Sequence, residues 1–253
     1  MDAYRLKWIA IVGMFFNHAV LALREVIPLG LALPMFAVGG VTFPIMAFMV
    51  VEGYKHTSNL RRYLLRIFAF GLIAQIPYML AVRDFFRLNI MFTILLGLLL
   101  ILLYDRLKNS SIKHVVFWPV FILGVAVSAV FDWMIIGVIM MFLFHAISNE
   151  GKRRAIPPFV AGMMYVLSLS FAVLGYMALG DGFVLGAYSA AGSDVLFFTS
   201  FPVGIFFAIY LLKKYNGERG RRMKYLFYWF YPLHFVALAA AALGLGLIEL
   251  PMI

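Results

Sequence analysis

The chain has 253 residues, 65% of them hydrophobic and 13% charged, with a formal net charge of +10 and no cysteine. Globular proteins average roughly half apolar and a quarter charged residues, so this composition excludes an ordinary water-soluble domain. Missing cysteines exclude disulfides, thiol catalysis and Cys-based metal sites, and the Lys and Arg residues, set in short segments between apolar runs, do not read as a nucleic-acid footprint.

Apolar runs of about 16–25 residues recur along the whole chain, which suits helices crossing a hydrocarbon core about 30 Å thick. Backbone polar groups in lipid must be satisfied within each segment, and β-barrel alternation is absent. The sequence therefore predicts an all-α, polytopic integral membrane bundle, a single domain over residues 1–253 without internal repeat or linker. The first span, 7–23, follows Arg5 and Lys7. Leu23, Arg24 and Glu25 close it without a small-x-small pattern, so it reads as an uncleaved span, not a signal peptide.

Residues 26–54 are long for one crossing and carry Pro28, Pro34, Gly39, Gly40 and Pro44; a short non-spanning stretch followed by one helix at 35–54 is expected. Spans at 63–82 and 88–104 come next. Segment 114–148 is too long for one crossing, yet basic residues flank both ends. This predicts a hairpin of spans 114–131 and 133–148 with Asp132 at its tip. Spans at 157–178, 195–212 and 224–247 bring the total to nine.

With the N-terminus inside, 18 of the 21 basic residues fall in inner segments, leaving only Arg24, Arg83 and Arg87 outside. The outer loop 179–194 has no Lys or Arg. Basic residues are retained in short cytoplasmic loops, so a cytoplasmic N-terminus is expected.

Asn17 and His18 interrupt the first span. His18 lies about 15 Å above the helix entry, near the membrane midplane. Lys7, eleven residues earlier, points from the same face, with Ile11 and Met14 along the stripe between them. His234 lies at a similar depth in the last span, so the two histidines could meet across a bundle. Tyr231 shares its face, and Pro232 should free the carbonyl of Tyr228. An ionisable group at the bilayer centre costs about 2.5–3.5 kcal/mol on insertion scales, which makes both histidines functional candidates. The structural alternative is a neutral imidazole that pairs with Asn17 or a tyrosine and holds helices together. His56, His114 and His145 lie near span ends, where solvated imidazoles are common.

Glu52 ends the second span and either orients a catalytic group or pairs with a nearby Lys or Arg. Arg62 and Arg66, one turn apart at the inner mouth of the third span, have the spacing to grip phosphate, although snorkelling also accounts for them. Asn89, Thr93 and Gly97 form a small polar stripe that suits helix packing more readily than substrate contact. Gln75, before Pro77, is expected to bond a freed carbonyl, and Asp132 and Asp181 to be solvated loop carboxylates. There is no phosphate-cradling Gly-rich loop, HExxH or Ser elbow, which gives no support to an ATP-driven pump or a membrane hydrolase; no metal site is expected.

The blocks "LKWIAIVGMFFNHAV", "FPIMAFMVVEGYKHT", "RRYLLRIFAFGLIAQIPYML", "LNIMFTILLGLL" and "FYWFYPLHFV", in this order, resemble the TraX family of membrane proteins. The resemblance covers about residues 6–105 and 224–236. It implies a multi-pass protein of the bacterial inner membrane that acetylates the N-terminus of pilin, with acetyl-CoA as donor. The family is also similar to membrane acyltransferases whose first span places a basic residue and a histidine ten residues apart. Lys7 and His18, with ten residues between them, match that pattern. By this resemblance His18 is the base, and Glu52, Arg62, Arg66, Asn89, Thr93 and His234 are secondary candidates. Two departures stand out: Asn17 where the family pattern has Asp, and Gly40 where it has Arg. Asn can fix an imidazole tautomer but cannot stabilise imidazolium as Asp does.

The mechanism expected is docking of the donor's phosphates on Lys7, Arg62 and Arg66, with Asn89 and Thr93 as further cofactor-binding candidates. His18 then deprotonates an amine or hydroxyl acceptor, while Asn17, Tyr231 or His234 bonds the oxyanion. Membrane lipids, acyl-CoA and a pilin or other peptide are the partners this implies. The alternatives are a proton-coupled transporter with midplane histidines, for which the paired repeats are missing, and a non-catalytic membrane assembly factor.

Overall fold

The computed structural model describes residues 1–179, 192–221 and 224–248. The expected outer-loop residues 180–191, with Asp181, lie outside them. Ten α-helices follow in order: α1 (Ala3–Ala22), α2 (Leu29–Gly39), α3 (Thr42–His56), α4 (Leu60–Val82) and α5 (Ile90–Leu107), then α6 (Lys113–Val127), α7 (Met134–Ala146), α8 (Glu150–Leu179), α9 (Gly192–Lys213) and α10 (Lys224–Gly244). Among the described residues there is no strand, only an isolated bridge between Leu88 and Phe131.

Among the described residues six helical stretches are long and apolar enough to cross a membrane, and α7 and the Phe197–Lys213 part of α9 are shorter apolar helices. This is a multi-pass helical membrane protein. Every predicted span overlaps a helix, but α1, the expected first of nine, is not among these apolar stretches, since Arg5, Lys7, Asn17 and His18 lower its hydropathy. The largest difference is at α8, which begins at Glu150 because the Asn149 carboxamide accepts the Lys152 N–H at 3.0 Å and caps it.

The second span differs from expectation. Residues 29–56 are helical almost throughout, as a 28-residue rod jointed at Gly40–Val41, whose backbone stays in the right-handed helical region. Packing explains the joint. A Cβ on Gly40 would collide with the Phe201 carbonyl of α9, and one on Gly204 with the Ala37 carbonyl of α2. The backbones of α2 and α9 touch there, so the arginine expected at position 40 has no room. Thr42, just past the joint, donates to the Ala10 carbonyl at 3.3 Å, while Gly39 faces Asn17. The joint therefore lies level with the middle of α1.

α1 sits at the centre, against α2, α3, α4 and α10, while α8 packs on α7 and α9. The segment after α9 folds back onto the first residues of the chain. The Ala3 N–H donates to the Glu218 carbonyl (2.8 Å) and the Asn216 N–H to the Met1 carbonyl (3.0 Å). Asp2 caps α1 by accepting the Arg5 N–H at 2.9 Å. These bonds hold residues 215–221 across one end of the bundle.

Candidate active site

α1, α3, α4, α10 and the 215–221 segment enclose a cavity of about 610 Å³. At one end its wall carries Lys7, Arg66, Arg219 and Arg221; His18 and Asn17 lie along it, and Asp132 and Trp133 close the other end. Sequence periodicity placed Lys7 and His18 on one face, and both line this space.

His18 Nδ1 lies 2.8 Å from His234 Nε2, and His234 Nδ1 lies 2.9 Å from the Phe230 carbonyl. The rings are 7% and 4% exposed. These contacts determine the tautomers. A carbonyl only accepts, so the proton of the neutral His234 ring is on Nδ1 and its Nε2 is an acceptor. His18 must then donate from Nδ1, which leaves the lone pair on its Nε2. That nitrogen has no hydrogen-bond partner among the described residues, and His18, unlike His234, lines the cavity. The outcome is an oriented imidazole with a free basic nitrogen. His234 occupies the place that a carboxylate takes in a hydrolase triad. With both its nitrogens engaged it is not available to bond an oxyanion.

Asn17 and Tyr231 line the same cavity, and Asn17 Oδ1 and the Tyr231 hydroxyl are buried without a hydrogen-bond partner. Asn17 is pressed against α2, where a Cβ on Gly39 would stand 2.6 Å from its own Cβ. Buried polar atoms in native structures are rarely left unbonded, so three in one cavity wall, Arg66 Nε being the third, point to a ligand.

The basic end differs from expectation. Arg66 lines both the cavity and a shallow outer groove, whereas Arg62 is exposed and lines only the groove, with Leu65 and Phe70. Arg219 and Arg221 take its place; in the sequence they were two among many charges of a basic loop. Lys7 Nζ stands 5.4 Å from the Phe227 ring. Glu52 is in the wall at this end, held by Arg153 (2.8 Å) and more loosely by Lys55 (3.7 Å).

Asn89 and Thr93 lie outside the cavity lining and are fully buried. Asn89 caps α5 through the Met91 N–H (3.0 Å) and donates to the Gly71 carbonyl and Gln75 Oε1, both at 2.8 Å. The Thr93 hydroxyl donates to the Asp132 carbonyl. Gln75 reaches the Arg87 carbonyl (2.9 Å), not a carbonyl freed by Pro77. These groups secure the turns at the end opposite the basic one, and their hydrogen-bonding capacity is spent on protein.

Asp132 also departs from expectation. It is at the hairpin tip, but the tip is folded inward. The Asp132 N–H bonds the Leu88 carbonyl at 2.7 Å and the Leu88 N–H the Val130 carbonyl at 3.0 Å. The surface that Asp132 keeps opens onto the cavity, and enclosure by protein pushes its carboxyl up to about 6, partly opposed by Arg87.

A family model described as TraX protein matches residues 3–241. The chain belongs to the TraX family. Among curated proteins, the probable fimbrial assembly protein FimC, serogroup H1, of Dichelobacter nodosus is 29% identical over 258 residues, 96% of this chain and 97% of that protein. No solved structure matches.

Proposed function

We propose that this TraX-family protein is a pilus-associated acetyltransferase of the bacterial inner membrane that uses acetyl-CoA as donor. The observation that supports this best is the His18–His234 pair, which presents a free basic nitrogen to a cavity with a basic end. The donor's phosphates dock at Lys7, Arg66, Arg219 and Arg221, and its acyl arm runs between the helices towards His18. His18 Nε2 takes a proton from the acceptor nitrogen or oxygen as that atom bonds to the thioester carbonyl carbon. The Asn17 amide donates to the developing oxyanion, a contribution of about 3–4 kcal/mol in enzymes that use such a group. The C–S bond then breaks, and the proton held by His18 returns to the thiolate. Between the amine and hydroxyl acceptors that the chemistry allows, the relative's name and the family favour a pilin-like peptide amine.

Calorimetry of the purified protein with acetyl-CoA tests the donor half. Saturable binding is expected; its absence in several detergents and in nanodiscs would refute the acetyltransferase. His18→Ala is expected to fold, to keep donor affinity and to lose about 10²–10⁴ in turnover. The name of the Dichelobacter relative favours a second reading, a membrane assembly factor without chemistry. That reading gains if His18→Ala disturbs only stability.

A further inference from the structure

Two carboxylates line the cavity. Glu52 is neutralised by Arg153, whereas Asp132 makes no ion pair among the described residues. The guanidinium nearest in charge, Arg87, is taken by Asp84 at 3.0 Å. Of the Asp132 carboxylate only Oδ1 has a protein donor, the Trp133 N–H at 2.9 Å. The turn itself is locked by the Leu88 and Thr93 bonds, and Trp133 and Met134 are held at φ 60° and 40°, in the left-handed region that bulky residues avoid. A carboxylate enclosed without a counter-charge is expensive, and this one is kept beside a cavity. Its charge also acts on the hydroxyl of Tyr231, a buried residue of the same wall, which has the Ile90 N–H nearby but no hydrogen bond of full geometry.

We propose that Asp132 and the Tyr231 hydroxyl form a binding site for a primary ammonium group, and so anchor the acceptor at the end of the cavity opposite the basic one. This rests on the reading of the cavity as an acyl-transfer site. An ammonium carries three N–H donors, and Asp132 Oδ2 and the Tyr231 oxygen each accept one. The third points along the cavity towards the side lined by His18; the anchored ammonium first gives one proton to the Asp132 carboxylate, and His18 takes a second as the nitrogen bonds to the thioester carbon. Opposite charges at the two ends keep donor and acceptor from exchanging places. Groups facing this site are Tyr78 on α4, Asp84 and Arg87 in the α4–α5 loop, and Tyr231 on α10.

The test needs neither donor nor natural acceptor. Hydrophobic carbodiimides label protonated carboxyls in apolar surroundings, so the detergent-solubilised protein is treated with dicyclohexylcarbodiimide at pH 6, and the adduct is mapped by peptide mass spectrometry. Asp132 is expected to be labelled, and saturating n-butylammonium to slow its labelling about tenfold, as a ligand at about ten times its dissociation constant would. n-Butanol and potassium chloride at the same concentration should give no protection. Failure of Asp132 to react, no protection by n-butylammonium, or equal protection by potassium would each overturn the site. Acetyl-CoA calorimetry is independent of all three. Loss of donor binding with protection intact would therefore sink the acetyltransferase and leave the ammonium site standing.

Discussion

Arg153 of α8 reaches Glu52 of α3 in a 2.8 Å ion pair while only 2% of its surface remains exposed. The guanidinium also bonds Glu150 at 3.1 Å and lies 5.0 Å from the Phe48 ring. The pair joins a peripheral helix to the cavity wall. Removing Glu52 leaves the buried guanidinium only the largely exposed Glu150 as counter-charge, a loss that stays below the about 3–5 kcal/mol of a fully uncompensated buried charge. Glu52→Ala is therefore expected to lower stability, read as an earlier midpoint in dodecyl sulfate titration. Normal stability with abolished turnover would instead give Glu52 a role in chemistry.

His234→Phe keeps the ring volume but removes the acceptor that fixes the His18 tautomer. Single-turnover acetylation is expected to slow by about 10²–10⁴, the range for losing acid–base function. The double variant with His18→Ala should be little worse than either alone, because residues acting as a unit are not additive. Additive losses in the cycle would show that the two histidines act separately.

Arg66 and Arg62, one helical turn apart, should behave differently. Arg66→Ala removes a cation from the cavity and is expected to weaken acetyl-CoA binding about 10–100-fold, the worth of a charged hydrogen bond. Arg62→Ala should leave the dissociation constant unchanged. Equal effects in calorimetry would place the donor on the outer groove instead.

Asp132→Asn separates stability from binding. The folded-state pKa of about 6 lies above the ordinary 3.8, so ionising the carboxyl disfavours the folded protein. Stability is lost as pH rises from about 4 to about 6 and stays lost above that. Asparagine escapes this, so the variant should melt higher at pH 7.5. The gain is on the order of 1–3 kcal/mol, discounted for the surface Asp132 keeps. It should fade between pH 6 and 4. A variant less stable at pH 7.5 would show that the carboxylate serves the fold.

Hydropathy and charge made the spans legible, because the bilayer imposes length and orientation on each helix separately. Depth was legible too: counting residues put His18 and His234 at one level. Their contact was not, since it depends on how α10 turns about its own axis against α1. The same limit hid Arg62, whose spacing to Arg66 puts both on one helix face without saying how much of that face meets the cavity. Asp132 was misread for a longer-range reason. Its flanks look like a solvated hairpin tip, and the bridge from Leu88 to Phe131 that draws it inward joins segments with no local mark in the sequence. Gly40 needed the partner Gly204, on a helix far along the chain, before its lack of a side chain made sense.

The two histidines are 216 residues apart, in the first helix and the last. At a synthesis rate of about 5–20 residues per second, His18 waits roughly ten to forty seconds for its partner to be made. During that interval the nascent chain holds an imidazole in the membrane without the ring that orients it. The oriented imidazole exists only once α10 docks, so the His18–His234 contact and the cavity wall that α10 supplies are completed in the same step.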